Sequence, residues 1–247
     1  SSGGGTAPVS VSFEIVDDPA RACAALMVGA AIGGGDIVLT GGSTPRVAYE
    51  HFAEAVRTVG INLDRTRLWV GDERCVAPGD ERSNFRMIRE SLLDPLGLSD
   101  GAGVRRMKGE LGPEDGAEDY ERALREHGPP EFDLLLLGIG PDGHCASLFP
   151  HQDTLNERDR LVVGVPHAGL EPFVPRISLT LPALTSAQQI VVLATGESKA
   201  EAIADAFAPG AVPDPGTPAS MLAPSARRIT VLVDRAAAAR LPPGVTG

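Results

Sequence analysis

The chain has 247 residues, which suits one large α/β domain, and its formal net charge is −11 at pH 7. This charge argues against a nucleic-acid binder, because affinity for a phosphate backbone depends on clustered Lys and Arg. No apolar run reaches the roughly 18–20 residues of a membrane helix, so no membrane partner is expected.

The cysteines and the start of the chain give two further expectations. Cys23, Cys75 and Cys145 have no C-x-x-C or metal-finger spacing. A scattered, odd set is typical of free thiols in a reducing compartment, so we expect a cytoplasmic protein without a metal site. Residues 1–8 are predicted to be a flexible tail, and residues 9–247 a single domain.

The apolar pattern predicts strands and helices that alternate along the chain. Val11–Val16 is predicted as an edge strand, and a helix capped by Asp17 or Asp18 follows it to about Ile32. Further strands are predicted at residues 36–40, 66–70, 103–107, 132–137, 161–165, 175–180, 189–194 and 229–233. Further helices are predicted at residues 46–57, 84–93, 113–127 and 195–207, with a short one after Asp234. This alternation implies a mostly parallel sheet covered by helices.

A first candidate site follows the strand at residues 36–40. Gly41-Gly42-Ser43-Thr44-Pro45 leads directly into a helix. The unpaired N–H groups of a helix N-terminus hold a phosphate well, and glycine lets the ligand approach the backbone. The alternative is a plain N-cap by Ser43 or Thr44. It is not a Walker loop, because no Gly-Lys-Ser/Thr follows.

A second candidate site follows the strand at residues 66–70, which ends in Gly71-Asp72-Glu73-Arg74. In open α/β sheets the ligand crevice lies beyond the carboxyl ends of the strands, so three charged side chains here are expected to point into it. The alternative is a solvated charged loop. Ser83 is the predicted N-cap of the helix that follows.

The third candidate site follows a continuous apolar strand, where the turn Gly138–Pro150 carries Asp142 and His144. His144 is the natural candidate for moving a proton near neutral pH. The alternative is a histidine that serves only as a cap or loop residue. Gly138 and Gly140 suggest a dinucleotide site, but Pro141 and the absence of this pattern from the first strand–helix turn argue against one.

Lys199 is the fourth signal. It stands in the predicted first turn of a helix, where a cation is electrostatically unfavourable. A lysine that reaches an anion at the end of the preceding strand would explain this broken rule.

These motifs together resemble one known family, the glucosamine-6-phosphate isomerases and 6-phosphogluconolactonases. The resemblance includes Leu39–Pro45, Gly71–Arg74 with Ser83-Asn84-Phe85, and Gly138–Pro150, and it extends to Pro175–Thr180 and Gly196–Ala200. It implies a modified doubly wound, Rossmann-like α/β fold with no cofactor and no metal. It also implies hydrolysis of 6-phosphoglucono-δ-lactone in the pentose phosphate pathway.

Two departures favour the lactonase side of the family. The deaminases carry a Glu that assists the catalytic His where this chain has Phe149. They carry Asp-Glu-Tyr where this chain has Asp72-Glu73-Arg74. The alternatives that stay open are an isomerase/deaminase with Asp72 as the carbon base and a non-catalytic sugar-phosphate sensor. A nucleophilic Cys145 is disfavoured, because adjacent residues in a turn rarely face each other.

The expected roles follow from the resemblance and the required chemistry. His144 is the expected general base, Asp142 orients its ring, and Arg74 with backbone amides steadies the oxyanion. Substrate and phosphate binding is expected from Gly41, Gly42, Ser43, Thr44, Asp72, Asn84, Arg176 and Lys199. Which of Arg74, Arg176 and Lys199 holds the phosphate stays open. The expected partner is a small sugar phosphate, and the expected state a monomer or weak homodimer.

Overall fold

The computed structural model describes residues 10–98 and 104–245. The predicted tail and Gly103 lie outside the described residues. The main sheet has six parallel strands in the order β1-β9-β8-β5-β2-β3, so β1 is at an edge, as predicted. Its strands are β1 (Ser10–Ile15), β2 (Gly35–Leu39), β3 (Thr66–Val70), β5 (Leu134–Leu137), β8 (Gln189–Ala194) and β9 (Arg228–Val233).

Helices connect and cover these strands. They are α1 (Pro19–Ile32), α2 (Ser43–Val59), α3 (Asn84–Ile88), α4 (Pro113–His127), α5 (Leu181–Thr185) and α6 (Ala200–Phe207). Asp18 caps α1 by accepting from the N–H of Arg21 at 3.1 Å, and Ser83 caps α3, as predicted. A π-helical turn, Arg89–Leu93, continues α3. The doubly wound α/β prediction is therefore confirmed.

The core of the fold is the central part of the parallel sheet. All four leucines of β5 are buried, and they lie between β2 on one side and β8 on the other. Burying one such side chain stabilises the fold by about 1.5–3 kcal/mol. The central strands thus form a rigid base, and the turns at their carboxyl ends are held in fixed positions.

A second sheet was not predicted. It has three antiparallel strands in the order β4-β7-β6, namely β4 (Asp72–Arg74), β7 (Arg176–Leu179) and β6 (Val162–Val165). The alternative that residues 72–74 form a solvated charged loop is therefore wrong. The strand β4 is three residues long and pairs with a strand about a hundred residues later, so no local pattern reveals it.

Three predicted boundaries also differ from the structure. Helix α2 begins at Ser43, three residues before the predicted start. Val104 makes only an isolated bridge to Leu68, so residues 104–107 are not a strand. After Asp234 the chain forms turns instead of a helix. The carboxylate of Asp234 still accepts from the N–H of Ala237, at 2.8 Å.

Candidate active site

The turns that follow β2, β3, β5 and β8 meet around one cavity of about 320 Å³ at the carboxyl ends of the parallel strands. Nearly every predicted site residue lines it: Gly41, Gly42, Ser43, Thr44, Asp72, Arg74, Asn84, His144, Arg176 and Lys199. Asp142 is the exception, since it lies behind the ring of His144. A larger hollow of about 570 Å³ beside Tyr120 contains none of these residues.

His144 and Asp142 form a hydrogen-bonded pair. The imidazole Nδ1 lies 2.6 Å from Asp142 Oδ1, and the backbone N–H of His144 donates to the same oxygen at 3.1 Å. Because a carboxylate only accepts, Nδ1 carries the proton and Nε2 keeps its lone pair. Partial burial raises the pKa of Asp142, but the hydrogen bonds and charge of His144 outweigh this effect and lower it overall.

The neighbours of His144 restrict its chemistry. Its ring packs on the buried ring of Phe149, with 4.8 Å between the centroids. An aromatic ring thus stands where the deaminase pattern places a carboxylate. Cys145 is buried, and burial raises the pKa of its thiol to about 12. This thiol is not an activated nucleophile.

The N-terminus of α2 forms one side of the cavity. Gly42 has φ +118°, which favours glycine, and no side chain caps the helix. The alternative of a plain Ser43 or Thr44 cap is therefore wrong. The N–H groups of Ser43 and Thr44 have no partner within the helix, because the first turn never provides one. The hydroxyl of Thr44 lies 2.9 Å from that of Thr195.

Gly41 is required by a close contact. An added Cβ there would lie 2.2 Å from Asn84 Oδ1. The side-chain amide of Asn84 donates to the backbone oxygen of Asp72 at 3.2 Å. The glycine therefore lets the start of α3 pack against the turn that precedes α2.

Two arginines lie side by side on neighbouring strands of the second sheet. Arg74 and Arg176 are paired in the β4–β7 register, and both line the cavity. Their Nε atoms are buried and have no hydrogen-bond partner within the described part of the chain. Burial lowers the pKa of Arg176, and the charge of Arg74 lowers it further. Like charges opposite each other are unfavourable, so a bound anion would stabilise this pair.

Lys199 also reaches the cavity. Its Nζ donates to the backbone oxygen of Ile139 at 2.8 Å. Burial lowers the pKa of this amine, and the charge of Asp142 partly opposes the shift. Lys199 stands in a 3-10 turn, Glu197–Lys199, that precedes α6.

Glu73 does not point into the cavity, so this expectation is wrong. Side chains alternate along a strand, and Asp72 and Arg74 face the site while Glu73 faces away. Its buried carboxylate accepts from the Ser83 hydroxyl and from the N–H groups of Arg74, Asn84 and Phe85. Burial raises its pKa despite these bonds. Glu73 thus joins β4 to the start of α3.

The sequence reasoning assigned no role to three residues at the site. Ser147 is buried between Asp72 and Arg176, Thr195 pairs with Thr44, and Glu171 lines the cavity from the loop before β7. Ser147 belongs to a recognised motif, but no local rule separates its hydroxyl from that of any other serine. Loop 166–175 carries no pattern that indicates proximity to the site.

Neither metal-binding nor membrane-spanning features are found in the residues that the structure describes. They contain no group of three or more His, Cys, Asp or Glu able to hold a metal ion. Across residues 10–98 and 104–245, no helix combines the length and the apolar character needed to cross a bilayer.

Comparison with known proteins identifies the family of the chain. The family model for glucosamine-6-phosphate isomerases/6-phosphogluconolactonase matches residues 15–231. The chain belongs to this family. Among relatives, 6-phosphogluconolactonase of Streptomyces coelicolor is 38% identical over 223 residues, which cover 85% of this chain and 83% of the relative. The human 6-phosphogluconolactonase is 35% identical over 205 residues, which cover 81% and 78%.

Solved structures of the family have the same fold. The 6-phosphogluconolactonase of Trypanosoma brucei superposes with a TM-score of 0.82 at 26% identity, over 95% of this chain and 100% of that one. A monomeric glucosamine-6-phosphate deaminase superposes with a TM-score of 0.78 at 19% identity, over 94% and 99%, so this likeness shows the fold alone. Both sequence relatives named above carry the name 6-phosphogluconolactonase.

Proposed function

We propose that the protein hydrolyses 6-phosphoglucono-δ-lactone to 6-phosphogluconate. The observation that carries the proposal is that His144, which is hydrogen-bonded to Asp142, lines the same cavity as the N-terminus of α2 and three cationic side chains. Opening a phosphorylated lactone requires a proton acceptor near the lactone carbonyl and a phosphate site within one sugar's length of it. The curated relatives that carry the name 6-phosphogluconolactonase support the same substrate.

The reaction begins with water bound beside Nε2 of His144. The neutral imidazole takes a proton from this water as its oxygen attacks the lactone carbonyl. Asp142 holds the ring through Nδ1 and stabilises the imidazolium that forms. The imidazolium then returns the proton to the ring oxygen as the ester bond breaks.

Electrostatic stabilisation comes from the cavity walls. The substrate's phosphate binds to the amides of Gly42, Ser43 and Thr44. Arg74, Arg176 and Lys199 supply three positive charges for the phosphate and the developing oxyanion. Asp72 and Asn84 also line the cavity and are suited to bind the sugar hydroxyls.

A coupled assay tests the proposal. Glucose-6-phosphate dehydrogenase generates the short-lived lactone in place, and the rate of lactone loss is compared with and without the protein. Spontaneous ring opening is subtracted. Accelerated loss supports the proposal, and a rate equal to the spontaneous one contradicts it. Ammonia release from glucosamine 6-phosphate would instead indicate a deaminase, which Phe149 beside His144 disfavours.

The remaining expectations are part of this proposal. We infer a cytoplasmic enzyme, since its three cysteines are free thiols. The domain boundary at residue 9 and the monomeric or weakly dimeric state stay predictions. Light scattering over a range of protein concentrations tests the oligomeric state.

A further inference from the structure

A buried serine hydroxyl joins Asp72 to Arg176 beside the cavity. Ser147 has no exposed surface and lies three residues after His144 in the same turn. Its hydroxyl lies 2.7 Å from Asp72 Oδ2 and 3.3 Å from Arg176 Nη1. A carboxylate only accepts and a guanidinium only donates, so the hydroxyl donates to Asp72 and accepts from Arg176.

The position of Ser147 is held by the surrounding backbone. Its N–H donates to the hydroxyl of Ser178 at 3.1 Å, and Ser178 lies opposite Asp72 in the β4–β7 register. The preceding residue, Ala146, has φ +48°, a left-handed conformation that alanine rarely adopts. Such strain persists only where neighbouring contacts impose it, and it clusters at functional sites.

The guanidinium of Arg176 is anchored at both of its Nη atoms. Nη1 donates to Ser147, and Nη2 donates to the backbone oxygens of Pro172 and Leu170, at 2.9 and 3.3 Å. Nε is buried and has no partner within the described residues. A guanidinium has five N–H donors, so these three bonds fix the plane of the group and leave two donors, one on Nε and one on Nη1.

We propose that Ser147 is a positioning residue for Arg176. Its hydroxyl couples the guanidinium to the negative charge of Asp72, which opposes repulsion from Arg74 and keeps Arg176 aimed at an anionic group of the ligand. The identity of that ligand rests on the proposed function. The role of Ser147 differs from that of the catalytic His144, because Ser147 acts only through Arg176.

A double-mutant cycle on ligand affinity tests this role. The probe is 6-phosphogluconate, which has an anionic group at each end, so the test covers either assignment of Arg176. Calorimetry gives the Kd for wild type, Ser147→Ala, Arg176→Met and the double variant. We expect Ser147→Ala to weaken 6-phosphogluconate binding by about fivefold when Arg176 is present. We expect it to change binding by less than about twofold in the Arg176→Met background, since the two residues act as one unit.

Control variants separate this role from a general effect on folding. Ser91 is also buried, and its hydroxyl donates to the backbone oxygen of Met87 at 2.6 Å, so Ser91→Ala should bind like wild type. Ser147→Thr keeps the hydroxyl and should bind more tightly than Ser147→Ala. If Ser147→Ala does not fold, Ser147→Cys replaces it in the cycle, because a thiol is a weaker hydrogen-bonding group of similar shape.

The outcomes for the two proposals are distinct. Equal losses of affinity in both backgrounds, or wild-type affinity in Ser147→Ala, would overturn the positioning role. Lactone turnover by the wild-type protein is measured separately. If lactone turnover is absent but the double-mutant cycle shows that Ser147 and Arg176 act together, only the proposed reaction is contradicted.

Discussion

A single added methyl group at Gly140 should disable the site, although neither His144 nor Asp142 is itself mutated. An alanine Cβ there would lie 2.1 Å from His144 Nδ1 and 2.6 Å from Asp142 Oδ1. Real Cβ contacts essentially never fall below 3.0 Å, so the imidazole must move by at least 3.0 − 2.1 = 0.9 Å. The φ angle of Gly140 is not in the left-handed region, so the effect of Gly140→Ala is steric.

The expected loss follows from this displacement. Moving a catalytic group by about 1 Å can cost about 10²-fold in rate, and overpacking costs about 1–3 kcal/mol of folding free energy. We expect kcat to fall about 100-fold in the coupled lactone assay. The Kd for 6-phosphogluconate should change little, because the proposed anion-binding groups of α2 and Arg176 are not displaced.

Gly138→Ala is the matched comparison, because an added Cβ at Gly138 would meet nothing within 4 Å. It lies in the same turn and should lose far less activity than Gly140→Ala. The reasoning is refuted if Gly140→Ala is folded and keeps kcat within about threefold of the wild type.

Three further predictions concern other groups. Glu73→Gln should lower the free energy of unfolding, measured by urea titration, by about 2–4 kcal/mol. Each carboxylate oxygen of Glu73 accepts two hydrogen bonds, and an amide NH₂ group cannot accept any. An unchanged urea midpoint would contradict this expectation. Iodoacetamide at about pH 8 should leave turnover intact, since burial raises the pKa of Cys23 and Cys145 to about 12 and that of Cys75 to about 11. Inactivation with labelling of Cys145 would oppose this expectation. The lowered pKa of Lys199 means that its charge is lost at a lower pH than that of an ordinary lysine. Calorimetry should therefore show that 6-phosphogluconate binding weakens as the pH rises and that the loss begins below the ordinary lysine pKa of about 10.4. Lys199→Met should not show this loss.

Local sequence rules located most of the parallel sheet and the main parts of the site. Continuous apolar runs such as Leu134–Leu137 have few alternatives to a buried strand. The turns after these strands must meet at one edge of the sheet, so the separate motifs around Ser43 and His144 can be assigned to one site by sequence reasoning. Lys199 was found by the opposite kind of signal, a cation where helix electrostatics disfavour one.

The features that sequence reasoning missed depend on distant pairing. Strand β4 exists only because β7 offers it hydrogen bonds, and this pairing sets the orientation of Glu73 away from the cavity. The role of Ser147 likewise depends on Asp72 and Arg176, which come from two different strands. The pairing of Arg74 with Arg176 also follows only from the β4–β7 register. No window of neighbouring residues contains such information.

The central claim is that the His144 imidazole accepts the proton from water while separate groups hold the anion. Kinetics of His144→Ala in the coupled lactone assay, with calorimetry of 6-phosphogluconate on the same sample, test it most directly. We expect kcat to fall about 10²–10⁴-fold while the affinity for 6-phosphogluconate stays within a few-fold of the wild type. Turnover near the wild-type rate in a folded His144→Ala protein would contradict it.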